Sequence, residues 1–283
     1  MVVVAGGTGY LGSKIILELL KNNIDVICIK NKTSDISKLS SHSKVKFVNS
    51  DKESLERLFK SNDIECVINT VCRYHAPNIP DIEIADSNLF FPMHLLSTYI
   101  YFNNRKKYSF ITIDTGLSKD INMYAYSKKM FADYGKYCTN HYPINFYNII
   151  LENFYGKDEP KDRFLHRCIS MMKNNEPLNL TSGTQHRDFI HIDDVLQGIL
   201  LIFNKRYELD KYMDIPLGSG QAPSIKEVIC YLKEQLHSLS DLNFGAIPSR
   251  EFENDCIADI SILNKLGFKL KYHWKDGIKQ MME

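Results

Sequence analysis

The chain has 283 residues, 44% of them hydrophobic, enough for one α/β unit with an added lobe or for two modest domains. Thirty-five Lys and Arg stand against 34 Asp and Glu, and the net charge of +1 excludes a global field that would gather nucleic acid or an anionic membrane. Any anion must be recognised by a local site.

Val2 to Ala5 reads as a short buried strand. The turn that follows, Gly6-Gly7-Thr8-Gly9-Tyr10-Leu11-Gly12, carries G-x-x-G-x-x-G on Gly6, Gly9 and Gly12 and leads into a helix with apolar Ile15, Ile16, Leu19 and Leu20. Gly6 permits the tight turn, Gly9 lets the backbone approach a pyrophosphate, and Gly12 lets helix and strand pack closely. The helix N-terminus offers free N–H donors to phosphates. A glycine turn alone can be no more than a turn, but strand, turn and helix in this order are the context a dinucleotide requires.

A second strand, Val26 to Ile29, ends in Lys30-Asn31-Lys32-Thr33-Ser34 with no acid before Asp35. An acid there would bind the adenosine 2′-hydroxyl of NAD; two cations and polar donors suit a 2′-phosphate, so NADP is favoured, with NAD the alternative. A solvated basic loop would look the same. A third strand runs from Val45 to Val48, and Asp51 after it either accepts from an adenine amine or caps the helix marked by Leu55, Leu58 and Phe59. Cys66-Val67-Ile68 and Phe110 to Ile113 complete five strands separated by helical stretches, the pattern of a parallel, doubly wound Rossmann-type α/β sheet.

Tyr124 to Cys138 reads as a long helix, with Tyr124 and Lys128 one turn apart on one face. The Lys128 ammonium would draw the Tyr124 pKa toward neutrality and could reach a nicotinamide ribose, so the pair could move the proton that accompanies hydride transfer at a carbonyl. Y-x-x-x-K is common by chance; its place after a glycine loop and five strands gives it weight. Ile144 to Leu151 is a further buried strand. Beyond about residue 155, Pro160, Pro177, Pro216, Pro223 and Pro248 punctuate shorter elements. The division expected is a dinucleotide domain over 1–150 plus about 186–215, and a smaller lobe over 151–185 and 216–283.

The seven cysteines lack any C-x-x-C pair, which speaks against zinc, and their apolar neighbours suggest buried, reduced thiols in a cytoplasmic protein. No stretch is long and apolar enough to span a bilayer, and no basic leader with an apolar run precedes the first strand.

With these motifs in order, the sequence resembles the extended short-chain dehydrogenase/reductase, or NAD-dependent epimerase/dehydratase, family. Further pieces carry the likeness: Asn153-Phe-Tyr-Gly156, then Gly183-Thr-Gln-His-Arg187-Asp188-Phe189-Ile-His-Ile-Asp193-Asp194-Val195. Gly218-Ser-Gly220 with Ser224-Ile-Lys-Glu-Val228 follows, and Ala258-Asp259 lies ahead of Leu266-Gly267-Phe268. The resemblance implies cofactor contacts at Gly6, Thr8, Gly9, Tyr10, Leu11, Lys30, Asn31, Lys32, Asp51, Val71, Cys72, Tyr124 and Lys128. It implies a sugar-nucleotide substrate held by Tyr74, Asn153, Arg187 and Arg250, with guanidinium groups suited to a diphosphate. Asp193 and Asp194 are read as capping the next helix. Dimerisation through the Tyr124 helix is common in such proteins, and Met130, Phe131 and Tyr134 are candidates for it.

The family usually ends its fifth strand with a Ser or Thr that binds the reacting oxygen. Aligned by Asp114, that position is Ile113, so Thr115 or Thr112 would substitute, and Thr115 is chosen. Dehydratases carry Asp-Glu where this chain has Asp114-Thr115. The Thr-Ile-Asp-Thr stretch, the short segment from Thr115 to Tyr124, and Thr70-Val-Cys-Arg-Tyr74 look most like CDP-abequose and CDP-paratose synthases, which reduce a 4-keto-6-deoxy sugar with NADPH. Three readings follow: a nucleotide-sugar 4-ketoreductase, a 4-epimerase with tightly bound NAD, and a non-catalytic NADP-binding regulator.

Overall fold

A computed structural model describes residues 1–249 and 255–282. The chain divides into two compact units. The first comprises Met1–Thr115, Asn122–Ile150 and Leu200–Ile215; the second comprises Gly116–Ile121, Leu151–Ile199 and the chain from Pro216 on.

In chain order the elements begin with β1 (Val2–Ala5), α1 (Tyr10–Lys21), β2 (Val26–Lys30), β3 (Val45–Asn49), α2 (Lys52–Ser61) and β4 (Cys66–Asn69). A helical run follows as α3 (Asp81–Ala85), a π-turn over Asp86–Phe90, and α4 (Phe91–Phe102), then β5 (Tyr108–Thr115), α5 (Met123–His141) and β6 (Ile144–Leu151). The remainder is β7 (Asn153–Tyr155), α6 (Phe164–Lys173), β8 (Leu178–Leu180), β9 (Phe189–His191), α7 (Ile192–Lys205), β10 (Tyr212–Leu217), α8 (Ile225–Gln235), β11 (Leu242–Phe244), α9 (Ser261–Leu266) and α10 (Trp274–Met282).

The main sheet has the order β10-β6-β5-β4-β1-β2-β3. From β5 to β3 every neighbouring pair is parallel. Val2, Val3, Val4 and Ala5 of β1 are fully buried, as a central strand covered on both faces requires. Order reverses between β1 and β4. In doubly wound sheets the crevice beyond the strands' carboxyl ends at that reversal is where ligands bind. On one side of the sheet the core gathers Leu58, Phe59, Tyr99, Phe110, Phe131 and Phe146. The Phe110 and Phe146 rings stack 5.6 Å apart, and Phe131 meets both edge-on.

The second unit pairs β7 with β9 and β8 with β11, both in parallel. Its core is built from Tyr155, Ile169, Met172, Val228, Leu232, Trp274 and Ile278. The first turn of α8 is closed by a reciprocal cap: the Ser224 hydroxyl accepts from the Glu227 N–H at 3.1 Å, and the Glu227 carboxylate accepts from the Ser224 N–H at 2.7 Å. Among the described residues no helix is long and apolar enough to cross a membrane.

Candidate active site

The glycine turn leaves β1 at the reversal point. Gly6 has φ +74°, a left-handed conformation that favours glycine, and its N-terminal neighbour Ala5 accepts from the Thr70 hydroxyl at 2.8 Å. A Cβ at Gly12 would collide with the Gly6 carbonyl oxygen and the Thr70 hydroxyl, so the cradle is closed to any larger side chain. Gly9, exposed and extended, is the N-cap of α1 and provides no side-chain cap, so the first-turn N–H groups keep their donors directed outward. Thr8 and Tyr10 are half-buried there, and Leu11 is buried under the turn. This donor set and its tightness fit a pyrophosphate-bearing dinucleotide.

At the end of β2, the Lys30 ammonium donates to the Asn31 carbonyl and to Asn49 Oδ1, at 3.2 and 3.3 Å. Asn31 Oδ1 accepts from the Ser50 hydroxyl at 2.8 Å, and Lys32 is exposed. Of the two readings of Asp51, the structure displays the cap. Its Oδ1 accepts from the Ser54 N–H at 3.0 Å and its Oδ2 from the Ser54 hydroxyl, and these bonds hold its carboxyl below the usual range.

The first turn of α5 is set by Asn122, whose side chain accepts from the Ala125 N–H at 3.0 Å. One turn on, Lys128 is buried, and its ammonium donates to the carbonyls of Val71 (2.9 Å) and Ile113 (2.8 Å). It ties α5 to the carboxyl ends of β4 and β5 at once. The Tyr124 phenol is hydrogen-bonded to the Thr115 side chain, and its ring lies 5.2 Å from that of Tyr74. Val71 is half-buried, whereas Cys72 and Tyr74 are exposed. The structure thus brings Tyr124, Lys128, Thr115, Val71 and Tyr74 together at one edge of the sheet.

Three expectations need correcting. The Tyr124 pKa does not move toward neutrality; desolvation, then Cys72 and Tyr74, hold it well above the usual tyrosine value. Nor are all the thiols buried: Cys72 and Cys230 are exposed. Phe131 is likewise no surface candidate for dimerisation. It is 1% exposed in the aromatic core, while Met130 is exposed and the Tyr134 hydroxyl pairs with Ser97. Thr112, the other hydroxyl weighed for the fifth strand, is buried and accepts from Asn69 Nδ2 at 3.2 Å.

In the second unit, Asn153 is exposed at the start of β7, its N–H donating to the Asp188 carbonyl at 3.1 Å. Arg187 is buried, with Nη1 donating to the His186 carbonyl at 2.8 Å. Arg250 lies outside the described residues. The residue between these motifs proves central: the fully buried Asp188 carboxylate accepts from Ser219 N–H and hydroxyl, Gly220 N–H and Ala258 N–H. Asp194 plays a similar part at the N-terminus of α7, accepting from the Lys271 and Tyr272 N–H groups at 2.8 and 3.1 Å.

Residues 2–218 match the model of the NAD-dependent epimerase/dehydratase family. The chain belongs to that family. A CDP-abequose synthase of Salmonella muenchen is 27% identical over 290 residues, covering 99% of this chain and 96% of the relative. A putative UDP-glucose 4-epimerase of Methanocaldococcus jannaschii is 25% identical and covers all of this chain and 97% of its own. Among solved structures, a UDP-glucuronic acid 4-epimerase from Bacillus cereus superposes with a TM-score of 0.86 at 23% identity, over 99% of this chain and 97% of that one. At that identity the likeness speaks for the fold alone, and it agrees with the doubly wound sheet described above.

As a member of this family, the chain keeps a nicotinamide-type cradle made by its own residues. What the sequence did not reveal is the support beneath it. Thr70 stood in a recognisable stretch and Asn148 in none, but neither supporting bond is local, since their partners Ala5 and Asp114 lie 65 and 34 residues away. Asp188 stood inside a recognisable stretch, but nothing local announced acceptor bonds to residues 31 to 70 positions distant.

Proposed function

We propose that the protein reduces the 4-keto group of a nucleotide-diphosphate-linked sugar, with NADPH favoured over NADH. The observation that carries this reading is the Tyr124–Thr115 hydrogen bond beside Lys128, at the carboxyl edge of a sheet whose glycine turn suits a dinucleotide. Likeness to CDP-abequose synthases over nearly the whole chain supports the substrate class.

The bound nicotinamide would supply hydride to the carbonyl carbon. Tyr124, its phenol hydrogen-bonded to the Thr115 side chain, would donate the proton to the oxygen that becomes an alkoxide. Thr115 orients that oxygen through its hydroxyl. An ammonium has three N–H donors, and Lys128 directs two at carbonyls, leaving the third for a ribose hydroxyl. Tyr74 would cover the sugar, and Asn153, Arg187 and Arg250 would hold the diphosphate. Lys30 and Lys32 would favour the extra phosphate of NADP.

The same residues suit a 4-epimerase, a reading supported by the Methanocaldococcus relative. Titrating the purified protein with NADPH and NADH separates the two. Tight, dissociable NADPH binding and turnover of a CDP-linked 4-keto-6-deoxy sugar are expected. NAD retained through purification would favour the epimerase. Tyr124→Phe should lower turnover by about a hundredfold or more; unchanged turnover would sink the catalytic reading. Dimerisation through the exposed Met130 side of α5 is tested by sedimentation at two concentrations.

A further inference from the structure

The residue after Lys128 is also a lysine, and it too reaches into the end of β5. Lys129 Nζ lies 2.9 Å from Asp114 Oδ2 and 2.6 Å from the Thr115 carbonyl oxygen. Asp114 Oδ1 accepts the Thr115 N–H at 2.7 Å. Both main-chain polar groups of Thr115 are therefore held by side chains. Their need follows from the ladder: β4 ends at Asn69, opposite Thr112, so the last three residues of β5 run past that neighbour. Asp114 is itself anchored, since its Oδ2 also accepts from Asn148 Nδ2 at 3.0 Å, and the same amide donates to Asp214 at 2.8 Å.

An ion pair with one partner buried gives little net stability, because desolvation offsets attraction. Its geometric effect is larger. Threonine is β-branched and stiff about χ1, so the direction of its hydroxyl follows its backbone. Resting on the proposed role of Tyr124 and Thr115, we infer that Lys129 and Asp114 are positioning residues that clamp the Thr115 backbone and so aim its hydroxyl at the Tyr124 phenol.

The test is a double-mutant cycle between Lys129→Met and Thr115→Val, read two ways. The first is steady-state NADPH oxidation with a CDP-linked 4-keto-6-deoxy sugar. Lys129→Met should lower kcat by about tenfold to a hundredfold, the scale of a small misplacement, with KM within about twofold. The double variant should be no slower than Thr115→Val alone, whereas a general loss of stability would add to it. The second needs neither cofactor nor turnover: the ¹³Cζ resonance of Tyr124, assigned by its loss in Tyr124→Phe. Lys129→Met should shift it in the direction that Thr115→Val does, and the double variant no further. Asp114→Asn offers the same cycle should Lys129→Met not fold. A wild-type resonance and kcat in Lys129→Met, or additive effects in the cycle, would overturn the clamp. If Tyr124→Phe kept full turnover, the catalytic reading would fall while the resonance cycle still judged the clamp.

Discussion

Lys128 donates to the main-chain carbonyl of Ile113 at 2.8 Å. The position where a Ser or Thr side chain was expected thus contributes its carbonyl instead, and the hydroxyl beside Tyr124 comes from Thr115, two residues later. Lys128 is consequently a structural tie as well as a candidate ribose ligand.

Replacing Lys128 by Met should leave the Val71 and Ile113 carbonyls without their donor, at a cost of about 1–3 kcal/mol. NADPH affinity should fall together with stability. Urea unfolding and a fluorescence titration on the same sample check both, and unchanged urea behaviour would show that the tie is dispensable.

Gly12→Ala places a Cβ against the Gly6 carbonyl and the Thr70 hydroxyl. Overpacking here should cost about 1–3 kcal/mol and open the turn that faces the phosphates. NADPH binding weakened at least tenfold (about 1.4 kcal/mol), with far-ultraviolet circular dichroism retained, is the expected result.

Asp188→Asn replaces one acceptor oxygen by an amide donor that faces N–H groups. A loss of about 2–3 kcal/mol is expected, the scale of hydrogen bonds to a charged group. Chemical denaturation of the full chain measures it, and the effect should centre on the second unit, where Ser219, Gly220 and Ala258 meet.

Glu159 is buried, and desolvation raises its carboxyl pKa from 4.5 to about 7, against the pull of Arg163. A raised carboxyl favours the folded state while protonated. Its contribution is fully present below the unfolded value near 4.5 and is lost as pH rises through about 7. Stability measured across that window should decline by on the order of 1–2 kcal/mol, and Glu159→Gln should flatten the slope. A wild-type slope in that variant would remove Glu159 as its cause.

Much of this was readable before any coordinates. Strands β1 to β6 are legible because each is a short stretch rich in apolar residues between polar breaks, and the glycine turn because its spacing is a steric demand. Tyr124 and Lys128 were found because one helical turn separates them. The direction of the Lys128 charge could not be read this way: the two carbonyls that bind it belong to Val71 and Ile113, and main-chain acceptors leave no mark on sequence. The direction of the Tyr124 pKa depends first on burial of its phenol, which the spacing of Tyr124 and Lys128 does not disclose. Phe131 looked like a surface apolar residue because the α5 pattern mixes aromatic residues on both faces; only its packing against Phe110 and Phe146 assigns it inward.

The outermost strands of the main sheet bear on how the chain survives its own synthesis. β10 borders β6 yet comes more than sixty residues after it, so a ribosome that has released β6 still leaves that border open. Until Tyr212 to Leu217 emerge, the nascent sheet exposes an unpaired apolar rim to other nascent chains. Once in place, β10 ends the sheet with Pro216, which has no N–H to offer a neighbour, and β3 ends the other side with the exposed Lys46. The finished protein is guarded against edge-to-edge association at both rims, whereas a fragment cut after β6 would be guarded at only one.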